Sequence, residues 1–145
     1  MFGLIMSIIA GAAMSFQGVI NTRLSEKIGL YESNVFAQGT ALLLGLIAMW
    51  FLGKGDITQI TQVGKVYWLG GVFGVVIIIT VMLAIGSLSP THAIAIILIS
   101  QLFTAALIDA FGLLGTDKAP FCWTKWLGLG LMIAGVLIFQ WKKAS

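Results

Sequence analysis

The chain has 145 residues, of which 59% are hydrophobic and 9% charged, with a formal net charge of +3 and a mean hydropathy of +1.07. A soluble domain carries roughly a quarter charged residues, so this composition excludes a soluble globular protein and points to an integral membrane protein with several spans of about 20 residues. The basic residues stand in ones and twos at the ends of apolar runs, which argues for membrane topology signals and against a nucleic-acid partner.

The first apolar run predicts a helix over about 2–22. It lacks a basic leading segment and carries Gln17 and Asn21 within it, so it reads as a retained span and not as a cleaved signal peptide. Gly3, Ser7, Gly11, Ser15 and Gly18 form a ridge of small residues, the kind of surface that lets helix backbones approach closely in lipid. The second helix is expected over about 31–52, joined to the first by a loop of about eight residues. Gln17 and Asn21 are four apart, as are Asn34 and Gln38, so each pair shares one helix face. Antiparallel pairing across the hairpin sets Asn21 near the level of Asn34 and Gln17 near Gln38. Four carboxamides would then line one seam. Such amides suit contact with a polar solute and equally suit interhelical hydrogen bonding.

The longest loop, "GKGDITQITQVGKVY", leads to a third helix over about 67–86 with a "GGVFG" stretch, and it has room for a short interfacial turn. Ser89-Pro90 opens a fourth helix over about 90–114, with Ser as cap and Pro at the first helical position. A fifth helix covers about 123–141, with Gly128, Gly130 and Gly135 along it. Tyr31, Trp50, Trp68, Trp123, Trp126 and Trp141 fall at helix ends, at the headgroup level that amphipathic rings prefer. The whole chain, 1–145, thus reads as a single all-α transmembrane domain of five helices.

Five spans place the termini on opposite sides. Lys54, Lys65, Lys118 and Lys125 then face one side, and Arg23, Lys27, Lys142 and Lys143 the other. The loop acids also balance, with Asp56 and Asp117 against Glu26 and Glu32. Orientation normally follows a Lys/Arg excess on the cytoplasmic side, and this chain has none. Either weaker cues fix one orientation, or copies insert both ways and pair as an antiparallel dimer. The second course makes from one sequence the inverted repeat that many transporters build from two halves.

The fourth helix is the most polar at depth. Ser100, Gln101 and Thr104 share an arc near its middle, whereas Asp109 lies five residues from the expected end at Leu114 and is shallow. Intramembrane polar groups are costly and raise functional hypotheses by default. Asp109 either pairs with Lys118 or Lys125 just outside, or serves as a gate or proton site. His92 reads as an interfacial residue, and Cys122 is the one cysteine, so no intrachain disulfide forms. No metal-ligand spacing, nucleophile–base pair, phosphate loop or haem signature occurs. Neither a cofactor nor a catalytic residue is expected.

The stretches "GAAMSFQGVINTRLSEKIG", "WLGGVFGV", "ISQLFTAALIDAFGLLG" and "LGLGLMIAGVLI" resemble the YdcZ-type family of the drug/metabolite transporter (DMT) superfamily, over nearly the whole chain. The most specific part is the Gln–x7–Asp–x–Phe–Gly spacing of the fourth helix. Gln17, Asn21, Gly39, Gly71, Gly74, Gln101, Asp109, Gly112 and Gly135 match positions that look like family motif. The resemblance implies a five-helix unit that pairs with an inverted copy, or with a homologous five-helix subunit, into a ten-helix transporter. Small multidrug resistance relatives carry a glutamate inside their first helix, where this chain has Gln17, and that departure speaks against simple cation/proton antiport.

The expectation is therefore a secondary transporter in the bacterial inner membrane, moving a small polar metabolite or drug-like solute by alternating access. Gln17, Asn21, Asn34, Gln38, Ser100, Gln101 and Thr104 are its candidate solute contacts, and Asp109 its candidate gate or proton site. A non-transporting accessory subunit and a passive channel are the alternatives.

Overall fold

A computed structural model describes residues 1–119 and 122–141. All regular structure in them is helical: α1 (Phe2–Ile28), α2 (Leu30–Leu52), α3 (Leu69–Ser87), α4 (Pro90–Phe111) and α5 (Trp123–Gln140). Short 3-10 turns at Ile57–Thr61, Lys65–Trp68 and Leu113–Gly115 punctuate the connections. Four helical stretches are long and apolar enough to cross a membrane: Phe2–Ile28, Leu30–Leu52, Lys65–Ser87 and Pro90–Phe111. The fifth helix is apolar but shorter. Lys142 and Lys143, counted in the charge balance, lie outside the described residues.

The first helix is longer than the sequence predicts. It runs on past Thr22 to Ile28, and the expected loop of about eight residues shrinks to Gly29. Hydropathy marks where lipid contact ends, not where a helix ends. The polar extension is helical because its charges pair along it, with Arg23 Nη1 3.1 Å from Glu26 Oε1. Gly29 then turns the chain at φ 103°, in a left-handed region that side chains rarely adopt. α1 is 27 residues, about 40 Å at 1.5 Å per residue, and so exceeds a hydrocarbon core of about 30 Å.

The fourth helix is shorter than predicted. It ends at Phe111, where Gly112 takes up φ 62° and Leu114 φ 56°. The backbone N–H groups of Gly112 and Ala119 both donate to the Asp109 carbonyl, at 3.3 and 2.9 Å, satisfying a carbonyl that the helix end leaves open. Pro90 opens the helix, as the Ser-Pro pair predicts. Tyr67 and Trp68, assigned by the sequence to the third helix, belong to the 3-10 turn before it. Trp68 Nε1 donates to the Ile60 carbonyl at 3.3 Å and ties the two turns of this loop together.

The chain divides into two compact units, Met1–Pro90 and the segment from Thr91 onward. In the first, α1, α2 and α3 all pack on one another, with Met82 and Ile85 of α3 buried. Gly18 is the point of closest approach: a Cβ there would meet Ile85 Cδ1 at 2.9 Å and Val81 Cγ1 at 3.1 Å. The rest of the α1 ridge is open, since a Cβ at Gly3 or Gly11 would meet nothing within 4 Å. Ser7 and Ser15 turn their hydroxyls back to the carbonyls of Gly3 and Gly11. In the second unit, Phe103 of α4 and Trp126 of α5 set their rings 6.5 Å apart at 54°. The α4 and α5 backbones do not approach as those of α1 and α3 do. Large apolar side chains are exposed along every helix, as a lipid-facing protein requires.

Candidate functional site

The predicted polar seam exists at the hairpin end of α1 and α2, with a different membership. Asn21 and Asn34 are both buried, and so are their chain neighbours Thr22 and Ser33. Ser33, fully buried, donates its hydroxyl to the Asn21 carbonyl at 3.1 Å. The Thr22 hydroxyl bonds back to the Gly18 carbonyl at 2.8 Å. The sequence reading missed Ser33 and Thr22 because a hydroxyl can bond to its own helix and so gives no sign of burial. Their signal was adjacency: each stands next to a carboxamide at the level where the two helices cross.

Asn34 Oδ1 is buried without a hydrogen-bond partner among the described residues. An unmet buried acceptor costs about 1–3 kcal/mol, so such a group either meets a solute or water in operation or holds strain. The deeper pair, Gln17 and Gln38, both turn toward α3. Gln38 is half-buried, and its Nε2 lies 3.2 Å from where a Cβ on Gly74 would stand. A side chain on Gly74 would therefore push the amide a few tenths of an ångström away from the α3 backbone. Gln17 is exposed in the single chain and, with Asn21, lines a cavity of about 30 Å³ walled by Gly18, Ile77, Ile78, Val81 and Met82. That volume suits one water molecule. Neither carboxamide makes a hydrogen bond among the described residues.

A wider opening of about 200 Å³ lies beyond it in the same unit, bordered by Thr22, Arg23, Glu26, Ile85, Gly86 and Pro90. Thr22 lines this charged vestibule and is the chain neighbour of Asn21, which lines the small cavity.

Ser100, Gln101 and Thr104 lie on α4 in the second unit, and all three are exposed. Asp109, half-buried, is two residues from the end of α4 and shallower than predicted, because the helix stops at Phe111. It shares a cavity of about 380 Å³ with Lys125 of α5, the rest of whose wall is Leu102, Ala105, Ala106, Gly128, Leu129 and Met132. Of the two lysines expected near the acid, Lys125 shares this cavity, while the backbone of Lys118 packs close to Gly112. Among the glycines at family-motif positions, Gly74 lies against the Gln38 amide and Gly112 takes up a left-handed φ, whereas a Cβ on Gly39, Gly71 or Gly135 would meet nothing within 4 Å among the described residues.

Apolar helices of spanning length with carboxamides and an acid set among them define a multi-pass membrane protein. The chain belongs to the DMT_YdcZ family, described as "Putative inner membrane exporter, YdcZ", whose model matches residues 2–138. Membership makes it an inner-membrane protein of the transporter kind, a class distinct from enzymes. No curated protein and no solved structure matches the chain.

Proposed function

We propose that the protein is a secondary transporter for a small polar solute, working as a pair of inverted copies or with a homologous five-helix partner. The observation that carries this reading is the pair Gln17 and Asn21, whose carboxamides line a cavity inside the membrane-length bundle and are not spent on intramolecular hydrogen bonds. Each amide offers two donors and an acceptor, which suits a neutral or zwitterionic solute. Gln38 against Gly74 and the orphaned Asn34 Oδ1 extend the same polar line. On α4, Gln101 with Ser100 and Thr104 supplies the second set of solute contacts. Asp109, near one end of its helix, is the gate or proton site, and inversion of the partner would place one such acid near each face.

α5 serves as the fifth span in this reading: its 18 residues rise about 27 Å, within the range for a membrane helix. Purified protein in liposomes tests the proposal. Saturable, gradient-driven flux is expected, with Gln17→Ala raising KM about fivefold for one lost neutral hydrogen bond of about 1 kcal/mol. Asp109→Asn is expected to flatten the pH dependence of that flux; an unchanged profile removes the gating role. Flux that never saturates makes the protein a channel, and no flux across a broad solute panel makes it an accessory subunit.

A further inference from the structure

The cavity between α4 and α5, which Asp109 lines, differs in chemistry from the amide-lined cavity of the first unit. Six of its eight lining residues are apolar or glycine: Leu102, Ala105, Ala106, Gly128, Leu129 and Met132. The other two are Asp109 and Lys125, one acid and one base on facing helices. The charges stand at one end. Asp109 is two residues before the end of α4 at Phe111, and Lys125 two residues after the start of α5 at Trp123. Trp123 and Trp126 flank that end, where indole rings favour the headgroup level.

From the charged end the cavity runs inward. Leu102 and Met132 lie seven residues further along their helices, about 10 Å at 1.5 Å per residue. One leaflet of hydrocarbon is about 15 Å deep, half of a core of about 30 Å. With α5 as the fifth span, as in the proposed function, the cavity would cover most of one leaflet, its opposite charges at the headgroup level and its apolar part beneath them. Small side chains, Ala105, Ala106 and Gly128, keep the middle wide, and the two helix backbones stand apart along it.

We propose that this cavity is a lateral binding site for a zwitterionic phospholipid bearing a primary ammonium. The Asp109 carboxylate accepts hydrogen bonds from the ammonium, Lys125 donates to the phosphate, and the upper part of one acyl chain lies between Ala105, Leu129 and Met132. The volume, about 380 Å³, is within the range of sites that hold small organic groups, and a headgroup with the start of one chain fills it. A lipid with a phosphate and no ammonium leaves the Asp109 carboxylate facing an anion. The paired charges therefore select for headgroup type, not merely for negative charge as a lone basic pocket does.

Native mass spectrometry of the full chain, released from bilayers of equimolar phosphatidylethanolamine and phosphatidylglycerol with identical acyl chains, tests this. The wild-type protein is expected to retain phosphatidylethanolamine about fivefold or more over phosphatidylglycerol. Asp109→Asn is expected to abolish the preference, and Lys125→Gln to lower retention of both lipids. Ala105→Trp fills the cavity without touching either charge and is expected to release both lipids. Equal retention of the two lipids by the wild type overturns the proposal, as does undiminished retention by a folded Ala105→Trp protein. Preference for phosphatidylethanolamine that survives Asp109→Asn does the same. Retention is read without any solute flux, so a protein that holds the lipid but carries no solute defeats only the transport reading.

Discussion

Gly18 marks where α1 and α3 come closest, and the size of the side chain tolerated there is limited. Its missing side chain lets α1 approach α3 until Ile85 Cδ1 would lie 2.9 Å from a Cβ. That neighbour is the tip of a flexible side chain, so Gly18→Ala is expected to be nearly neutral, the small repacking being offset by a gain in helix propensity of about 1 kcal/mol. Gly18→Ile cannot be absorbed in this way and is expected to cost about 1–3 kcal/mol through overpacking, read as a lowered melting temperature in detergent. Gln17 stands one residue away, and the same variant is expected to displace its carboxamide from the cavity at Ile77 and Ile78. Among the polar residues, sequence reasoning found those whose only explanation was membrane depth, Asn21 and Asn34. It missed Ser33, whose burial depends on which face of α2 meets the Asn21 carbonyl, a fact of tertiary register that period and composition do not carry.

At the scale of elements, the helices were legible and their ends were not. Hydropathy located all five apolar runs because lipid selects for them directly. It placed the end of α1 at Thr22 because Arg23, Glu26 and Lys27 look like loop, although the backbone stays helical to Ile28. It extended α4 to Leu114 because Leu113 and Leu114 are apolar, although Gly112 had already turned the chain. Gly29 holds the α1–α2 turn at φ 103°, where a Cβ would also run into the Glu32 carboxylate. Gly29→Ala is accordingly expected to cost about 1–2 kcal/mol, measured as lost thermal stability, and more if the carboxylate cannot swing away. The long loop offers a pH test. The Asp56 carboxylate accepts from the Thr58 hydroxyl and from its backbone N–H, and both bonds hold its pKa below the ordinary carboxylate value. A lowered value means that the cap is fully effective above the ordinary carboxylate range and is lost as pH falls through the lowered one. Fluorescence of Trp68, whose indole bonds to Ile60 in the turn that Asp56 caps, is expected to change across that acid window and to stay constant above it. Asp56→Asn is expected to remove the transition.

At the scale of the whole molecule, what remains unspent is as telling as what is buried. Among the described residues, a Cβ on Gly3, Gly11, Gly70, Gly71, Gly128 or Gly130 would meet nothing within 4 Å, while lysine and arginine fall evenly on the two sides of the sequence-read topology. The proposed inverted second copy would answer both facts, since it would supply helices for the open faces and remove the need for a charge bias. Reporters fused to the C-terminus are expected to be active in both periplasm and cytoplasm. Adding two lysines to one side, beside Lys54, is expected to drive the reporters to a single compartment. Activity of the unaltered fusion on one side only defeats the inverted pairing, and a partner of fixed and opposite orientation then becomes necessary.

The one-residue link at Gly29 has a mechanical consequence. A connection that short has no slack, and Ser33 is bonded to Asn21 just inside it. Any tilt of α1 is therefore handed on to α2, and the two act as a single lever of about 40 Å. Joints for a rocking motion would belong instead to the stretches outside the long helices, among the described residues 53–68, 88–89 and 112–119. A cross-link between α1 and α2 should leave a working carrier working, and one that clamps any of those joints should stop it.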